Sequence, residues 1–214
     1  MALLLPAVNA AVEAGRNTQC KNNLRQLAQA ADGYQSQRNY YPGYENTGFA
    51  DTGGATTASW IVELLPDIAR QDLYDAWTDP AVDGSTAAAP YLELFVCASD
   101  PPEQIGGPTL SYVANSGFAG EDYSPPEEAT ANGIFHTANI RSSVDTIVDG
   151  KSNTLMFSEN IQATERNVTS GHRNQTTFMW HATACSDCQI NANKVTAASN
   201  SANTARPSSF HSGG

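Results

Sequence analysis

Leu3-Leu4-Leu5-Pro6-Ala7-Val8-Asn9-Ala10-Ala11-Val12-Glu13 runs straight on toward Arg16-Asn17-Thr18-Gln19-Cys20-Lys21-Asn22-Asn23-Leu24-Arg25-Gln26-Leu27. Val8, Val12, Cys20, Leu24, Leu27, Ala31 and Tyr34 recur at spacings of three, four and eight. That periodicity lays them along one stripe of a helix with about 3.6 residues per turn. Arg16 is the one polar member of the stripe, while Asn17, Gln19, Lys21, Asn22, Arg25, Gln26 and Gln29 suit a solvated opposite face. After Tyr34 the pattern fades, and Tyr41-Pro42-Gly43 stops the helix, because proline cannot donate a backbone bond and restricts the residue before it. A helix from about residue 2 to about residue 38 would be roughly 55 Å long. A compact domain of this size cannot cover that length, so one end is expected to protrude or to pack against another chain. Pro6 fits a kink in such a rod, where neighbours re-satisfy the freed carbonyl. The same periodicity also suits an ordinary amphipathic core helix.

Composition bounds the rest of the chain. With 214 residues, 40% hydrophobic and 15% charged, the protein can bury one sizeable core and is not globally disordered. We expect two parts: residues 1–40 as the long helix and residues 41–214 as a globular head. Acidic residues outnumber basic ones 22 to 11, for a net charge of -11, which repels phosphate backbones and argues against nucleic acid as a partner. The opening apolar run is far short of the roughly 20 residues that span a bilayer, and no basic n-region with a cleavage site precedes it. Bare leucines at the front of a helix need a burial partner, so a lost translocation signal is the expectation rather than a cytoplasmic start at Met1.

Cys20 lies on the apolar stripe, Cys97 ends the run Tyr91-Leu92-Glu93-Leu94-Phe95-Val96, and Cys185 and Cys188 form a Cys-x-x-Cys in a polar segment. Four cysteines allow three pairings. We expect Cys20 with Cys97 and Cys185 with Cys188, the first tying helix to head; buried free thiols in a reducing cell are the alternative.

Four segments carry a resemblance. They are Leu4-Leu5-Pro6-Ala7-Val8 through Leu27; Phe95-Val96-Cys97-Ala98-Ser99-Asp100-Pro101; Ile147-Val148-Asp149-Gly150-Lys151-Ser152-Asn153-Thr154-Leu155-Met156; and Arg206-Pro207-Ser208-Ser209-Phe210-His211-Ser212-Gly213-Gly214. In order and spacing the chain resembles the bacterial pilin-like proteins that begin with a prepilin-type cleavage and methylation segment and end with His, nine residues, then Asp-Gly. The resemblance makes Leu4, Leu5, Pro6, Val8 and Val12 the assembly helix, and Asp149, Gly150, Asn153, His211, Gly213 and Gly214 the family motif. It implies a non-enzymatic structural subunit outside the cytoplasm, anchored in the membrane before assembly into an envelope filament or secretion pseudopilus. The implied partners are copies of itself or related pilin-like subunits, with membrane contact through an apolar segment ahead of Met1. The chain departs from the pattern at both ends, since the cleavage segment is absent before Met1 and the closing Asp-Gly after His211. Family members have also been labelled solute-binding proteins, which keeps a surface-anchored binding module as the alternative.

Between these landmarks the chain reads as α+β. Thr57-Ala58-Ser59-Trp60 starts a short helix interrupted by Pro66, and Leu73, Tyr74 and Trp77 mark another that ends before Pro80. Tyr91 to Cys97, Leu110 to Ala114, Gly133 to Phe135, Thr154 to Ser158 and Thr176 to His181 read as strands, with Asp149-Gly150 as a tight turn. Strands that follow a long helix without regular alternation point to an antiparallel sheet wrapped against it. Residues 121–128 and 191–204 read as long loops, suited to variable contacts in a displayed protein.

No nucleophile elbow and no phosphate-binding Gly-rich loop occurs. His181, Cys185 and Cys188 could supply three zinc ligands, with His172 or His211 as a fourth, but a disulfide between the cysteines is favoured in an oxidising compartment. No motif demands a cofactor. Calcium is the one cation the loops could take, at Asp100, at Glu121 with Asp122, or at Asp145 with Asp149, although no run has EF-hand spacing and Asp149 and Asn153 read rather as turn formers. Three hypotheses therefore stand: a pilin-like subunit with Val8 and Val12 exposed in the single chain, a solute- or glycan-binding module using Trp60, Trp77 and Trp180 as stacking platforms, and a zinc enzyme at His181, Cys185 and Cys188.

Overall fold

The computed structural model describes residues 4–51, 54–81, 91–102, 109–118, 133–136, 142–160 and 176–180. The helix read from the sequence is there: α1 runs unbroken from Leu4 to Arg38, 35 residues or about 52 Å. Pro6 lies in its first described turn, where amides have no intrahelical acceptor to lose. The helix ends at Asn39, in the left-handed conformation that asparagine tolerates, and the Asn39 amide donates to the Gln35 carbonyl. After Tyr41-Pro42-Gly43 the Asn46 side chain holds the chain's new direction: it accepts from the Gly43 amide and donates to the Gly43 and Ala58 carbonyls.

The head is α+β, as expected. Strands β1 (Asn46–Asp51) and β2 (Gly54–Ala58) form an antiparallel pair with an irregularity between Asn46 and Phe49, where Gly48 takes a positive φ of 105°. Helix α2 (Trp60–Leu64) starts directly after Ser59, in agreement with the sequence, and Pro66 opens a 3-10 turn, Pro66–Ile68, before α3 (Gln71–Thr78). Phe49, Ala58, Val62, Leu65 and Trp77 make a small core under the β1–β2 pair.

The second sheet has the order β4-β3-β5, with β3 Tyr112–Phe118, β4 Phe157–Glu159 and β5 Thr177–Trp180. β3 and β4 are antiparallel, whereas β3 and β5 are parallel, a departure from the purely antiparallel sheet expected. A parallel neighbour needs a long return connection, and the chain between β3 and β5 supplies it. β3 begins two residues later than the Leu110 start read from sequence, and β4 begins at Phe157 rather than Thr154.

Two expected strands are not strands. Residues 91–97 instead wind into a 3-10 turn, Glu93–Phe95, that drops Phe95 into the core. The Phe95 carbonyl accepts from the Ser111 amide, and Asn23 Nδ2 donates to the carbonyls of Glu93 and Val96, each at 3.2 Å. Residues 133–136 form a bend. Its Phe135 amide donates to the Asn115 carbonyl, and a Cβ on Gly133 would collide with the Asn115 carbonyl oxygen and the Gly117 nitrogen. The main core joins Cys20, Leu27, Ala30, Ala31 and Tyr34 of α1 to Trp60, Phe95, Tyr112, Val113, Phe135 and Phe157. Trp60, Phe135 and Phe157 meet ring to ring at centroid distances of 5.7, 5.1 and 4.9 Å, contacts that add about 1 kcal/mol each beyond area burial.

Candidate functional site

The stripe of α1 divides in two. Leu5, Val8 and Val12 are 71%, 58% and 49% exposed, and every residue from Leu5 to Val12 is open to solvent. The same stripe continued downward is buried at Cys20, Leu27, Ala31 and Tyr34. Leu4 opens the helix, but its side chain lies outside the described atoms.

A collar of contacts separates the halves. Ser99 Oγ donates to Glu13 Oε1 at 2.7 Å, and Arg16 stands 3.9 Å from the other Glu13 oxygen on the exposed side. Below it Cys20 is bonded to Cys97, Cα to Cα 5.1 Å, across a sequence separation of 77. This is the expected pairing, and closing a loop of that size is worth about 4 to 5 kcal/mol in the chain-entropy model. The Tyr112 hydroxyl lies 3.4 Å from both the Cys20 carbonyl, to which it donates, and Asn23 Nδ2, from which it accepts. Burial pushes the Tyr112 hydroxyl pKa upward, against the smaller lowering by Asn23. Beside the disulfide, burial first and the charge of Glu159 second push Asp100 up to about 6.

At the lower end of α1 the Arg38 guanidinium sits 4.1 Å over the Tyr34 ring. Burial raises the pKa of Glu63 there, while a hydrogen bond with Tyr34 and the charge of Arg38 lower it. The Tyr41 hydroxyl donates to Asp32 at 2.9 Å, and Lys151 pairs with the same carboxylate at 3.6 Å. These contacts grip the lower end of the helix.

The Asp149-Gly150 motif forms the expected turn. Gly150 takes a φ of 81° and donates to the Ile147 carbonyl, while Asn153 Nδ2 donates to the Asp149 carbonyl at 2.9 Å. Among the described residues the only convergent trio of potential ligands is Cys20, Cys97 and Glu159, and two of its three donor atoms are consumed in the disulfide. Neither Asp145 nor Asp149 belongs to that trio. Glu121, Asp122, His172, His181, Cys185, Cys188, His211, Gly213 and Gly214 lie outside the described residues, and the second disulfide and the zinc set lie there with them.

Trp60 and Trp77 are fully buried, the Trp60 Nε1 donating to the Thr176 carbonyl at 2.9 Å, so neither offers a face to a sugar or planar solute. Trp180 ends β5 with its side chain outside the described atoms. Asn23 is the residue sequence reasoning missed. Its place one turn after Cys20 is plain in the sequence, but nothing local marks its distant carbonyl partners.

Among the described residues no helix is long and apolar enough to cross a membrane. The disulfide is compatible with an oxidising, extracytoplasmic compartment. An α+β head on a long helix that outruns it is thus the class of protein the structure defines. The chain belongs to the family described as "Protein of unknown function (DUF1559)", SBP_bac_10, whose profile matches residues 9–214. No curated protein and no solved structure matches it.

Proposed function

We propose that this protein is a non-enzymatic, pilin-like or pseudopilin-like structural subunit that works outside the cytoplasm and assembles through α1 into an envelope filament or secretion pseudopilus. One observation carries the reading: a single unbroken helix is clamped by a disulfide and a buried core from Cys20 downward, while Leu5, Val8 and Val12 continue the same apolar stripe into solvent. Exposing aliphatic side chains along a helix is unfavourable in water, and a helix without tertiary partners is marginal at this length. A neighbouring subunit or lipid relieves both costs. The solute-binding alternative gains no support from Trp60 and Trp77, which are core residues.

The test is to image the full-length protein at the cell envelope with and without the prepilin peptidase of its host. The proposal expects envelope-associated assemblies that vanish without the peptidase, and loss of assembly in a Val8→Glu, Val12→Glu double variant. Diffuse cytoplasmic signal in both strains would contradict it.

A further inference from the structure

Two sulfurs and a carboxylate converge at the collar from three different elements. α1 brings Cys20, the chain leaving the Glu93–Phe95 turn brings Cys97, and β4 brings Glu159. Glu159 stands opposite Tyr112 in the β3–β4 pairing, and the Tyr112 hydroxyl reaches the Cys20 carbonyl. One Glu159 oxygen and the two Sγ atoms all lie within 4.8 Å of one another. Both cysteines are buried and Glu159 is half-buried. A closed disulfide offers a carboxylate neither positive charge nor a hydrogen to accept, so the sulfur–sulfur bond does not account for the convergence.

A cation held before that bond forms does account for it. Cysteines are thiols when a chain is made, and thiolates together with a carboxylate are a donor set for zinc. Tetrahedral zinc, with sulfur at about 2.3 Å and carboxylate oxygen at about 2.1 Å, spaces its donor atoms about 3.5 to 3.8 Å apart. The carboxylate is thus within roughly 1 Å of coordinating range of both sulfurs, which need only part from each other. The Ala98 amide also donates to Cys20 Sγ at 3.2 Å. Such a bond strengthens when its acceptor is ionised, so the backbone at Cys20 is set for a thiolate. Soft thiolate donors select zinc over calcium or magnesium.

We infer that the reduced chain holds one zinc ion through Cys20, Cys97 and Glu159, with water in the fourth position, and that closing the disulfide expels it. The ion ties α1 to the head across the same sequence separation of 77 that the disulfide spans, so the helix is clamped before oxidation as well as after. The exchange balances with a disulfide donor as oxidant. The donor's S–S bond and both zinc–sulfur bonds break, and the Cys20–Cys97 bond forms. Two electrons pass to the donor, which leaves as two thiolates, and Zn2+ departs.

The experiment uses the full chain with Cys185→Ser and Cys188→Ser, which leaves Cys20 and Cys97 as the only cysteines, and compares its reduced and oxidised forms. Zinc binding is measured by competition with a chromogenic chelator, and cobalt serves as the spectroscopic probe. The inference expects one zinc per reduced chain, a thiolate-to-cobalt charge-transfer band, no zinc in the oxidised chain, and release of bound zinc on adding a small disulfide. Reduced wild type should likewise bind one zinc more than a reduced Cys20→Ser, Cys97→Ser chain, which keeps the test decisive should the first variant not fold. Glu159→Gln should weaken zinc binding by the reduced chain at least about tenfold, the low end even for an outer partner of a metal site, while its oxidised form keeps the circular dichroism of the parent. Unchanged affinity in Glu159→Gln would overturn the inference, leaving two thiols that scavenge metal. Equal binding by the oxidised chain, or by the chain without Cys20 and Cys97, would overturn it by placing the ion elsewhere. A reduced chain that loses its circular dichroism is expected to recover it on adding zinc; failure to recover, or a folded reduced chain without the cobalt band, would contradict the inference as well. None of these outcomes touches the assembly reading, which rests on the exposed part of α1.

Discussion

The two halves of α1 are made of similar residues and live in opposite conditions. Val8 and Val12 are open to water, whereas Cys20, Leu27, Ala31 and Tyr34, on the same stripe, are sealed against Trp60, Phe95 and Tyr112. Periodicity is therefore common to both halves, and what separates them is whether the head reaches that far. The reach ends at the Ser99–Glu13 hydrogen bond and the Cys20–Cys97 disulfide. A helix face that its own domain does not cover differs from the buried face in its surroundings and not in its sequence pattern.

Breaking the clamp gives the largest expected effect. Replacing Cys20 and Cys97 together by alanine should lower the free energy of unfolding by about 4 kcal/mol, read from denaturant curves under non-reducing conditions. Leu27→Ala comes next, at about 3 kcal/mol for a large-to-small change in a packed core. Asn23→Ala should cost about 2 kcal/mol, because the Glu93 and Val96 carbonyls lose their shared donor. The same assay applied to Val8→Ala should move stability by less than about 0.5 kcal/mol. A loss at Val8 comparable with that at Leu27 would erase the distinction between the halves.

Asp100 sharpens the comparison at the collar through pH. Its folded pKa, about 6, stands above the usual carboxylate value, so the folded state holds a proton that the unfolded state has released. The stabilisation is present below the unfolded pKa and is lost as pH rises from about 4 to about 6. Asp100→Asn should therefore flatten this part of the stability profile and raise stability above pH 6 by about 1 kcal/mol, after allowance for partial solvent screening. Its effect near pH 3.5 should be negligible.

Much of the rod is legible in the sequence because helical periodicity survives whether or not a partner is present, and because Pro42-Gly43 stops the helix. The Asp149-Gly150 turn is legible for a similar local reason. The run from Tyr91 to Cys97 misleads, since a short apolar segment does not distinguish a strand from a buried turn; its conformation is set by Asn23, seventy residues or more away. The β1–β2 pair is not legible at all. Its sequences, Asn46–Asp51 and Gly54–Ala58, show no alternation of large apolar and polar residues, and their pairing is held by the Asn46 side chain and by Phe49 packing on Trp77. Strand propensity expresses such context and seldom precedes it. The parallel placement of β5 likewise depends on a long return connection that carries no local signature.

Hydrogen–deuterium exchange along α1 tests the central claim most directly, measured on the full chain first as a dilute monomer and then in the assembled state. The account predicts rapid exchange near residues 5–12 and strong protection over residues 20–34 in the monomer, with protection spreading to residues 5–12 only on assembly. Strong protection of residues 5–12 in the monomer, unchanged on assembly, would contradict it.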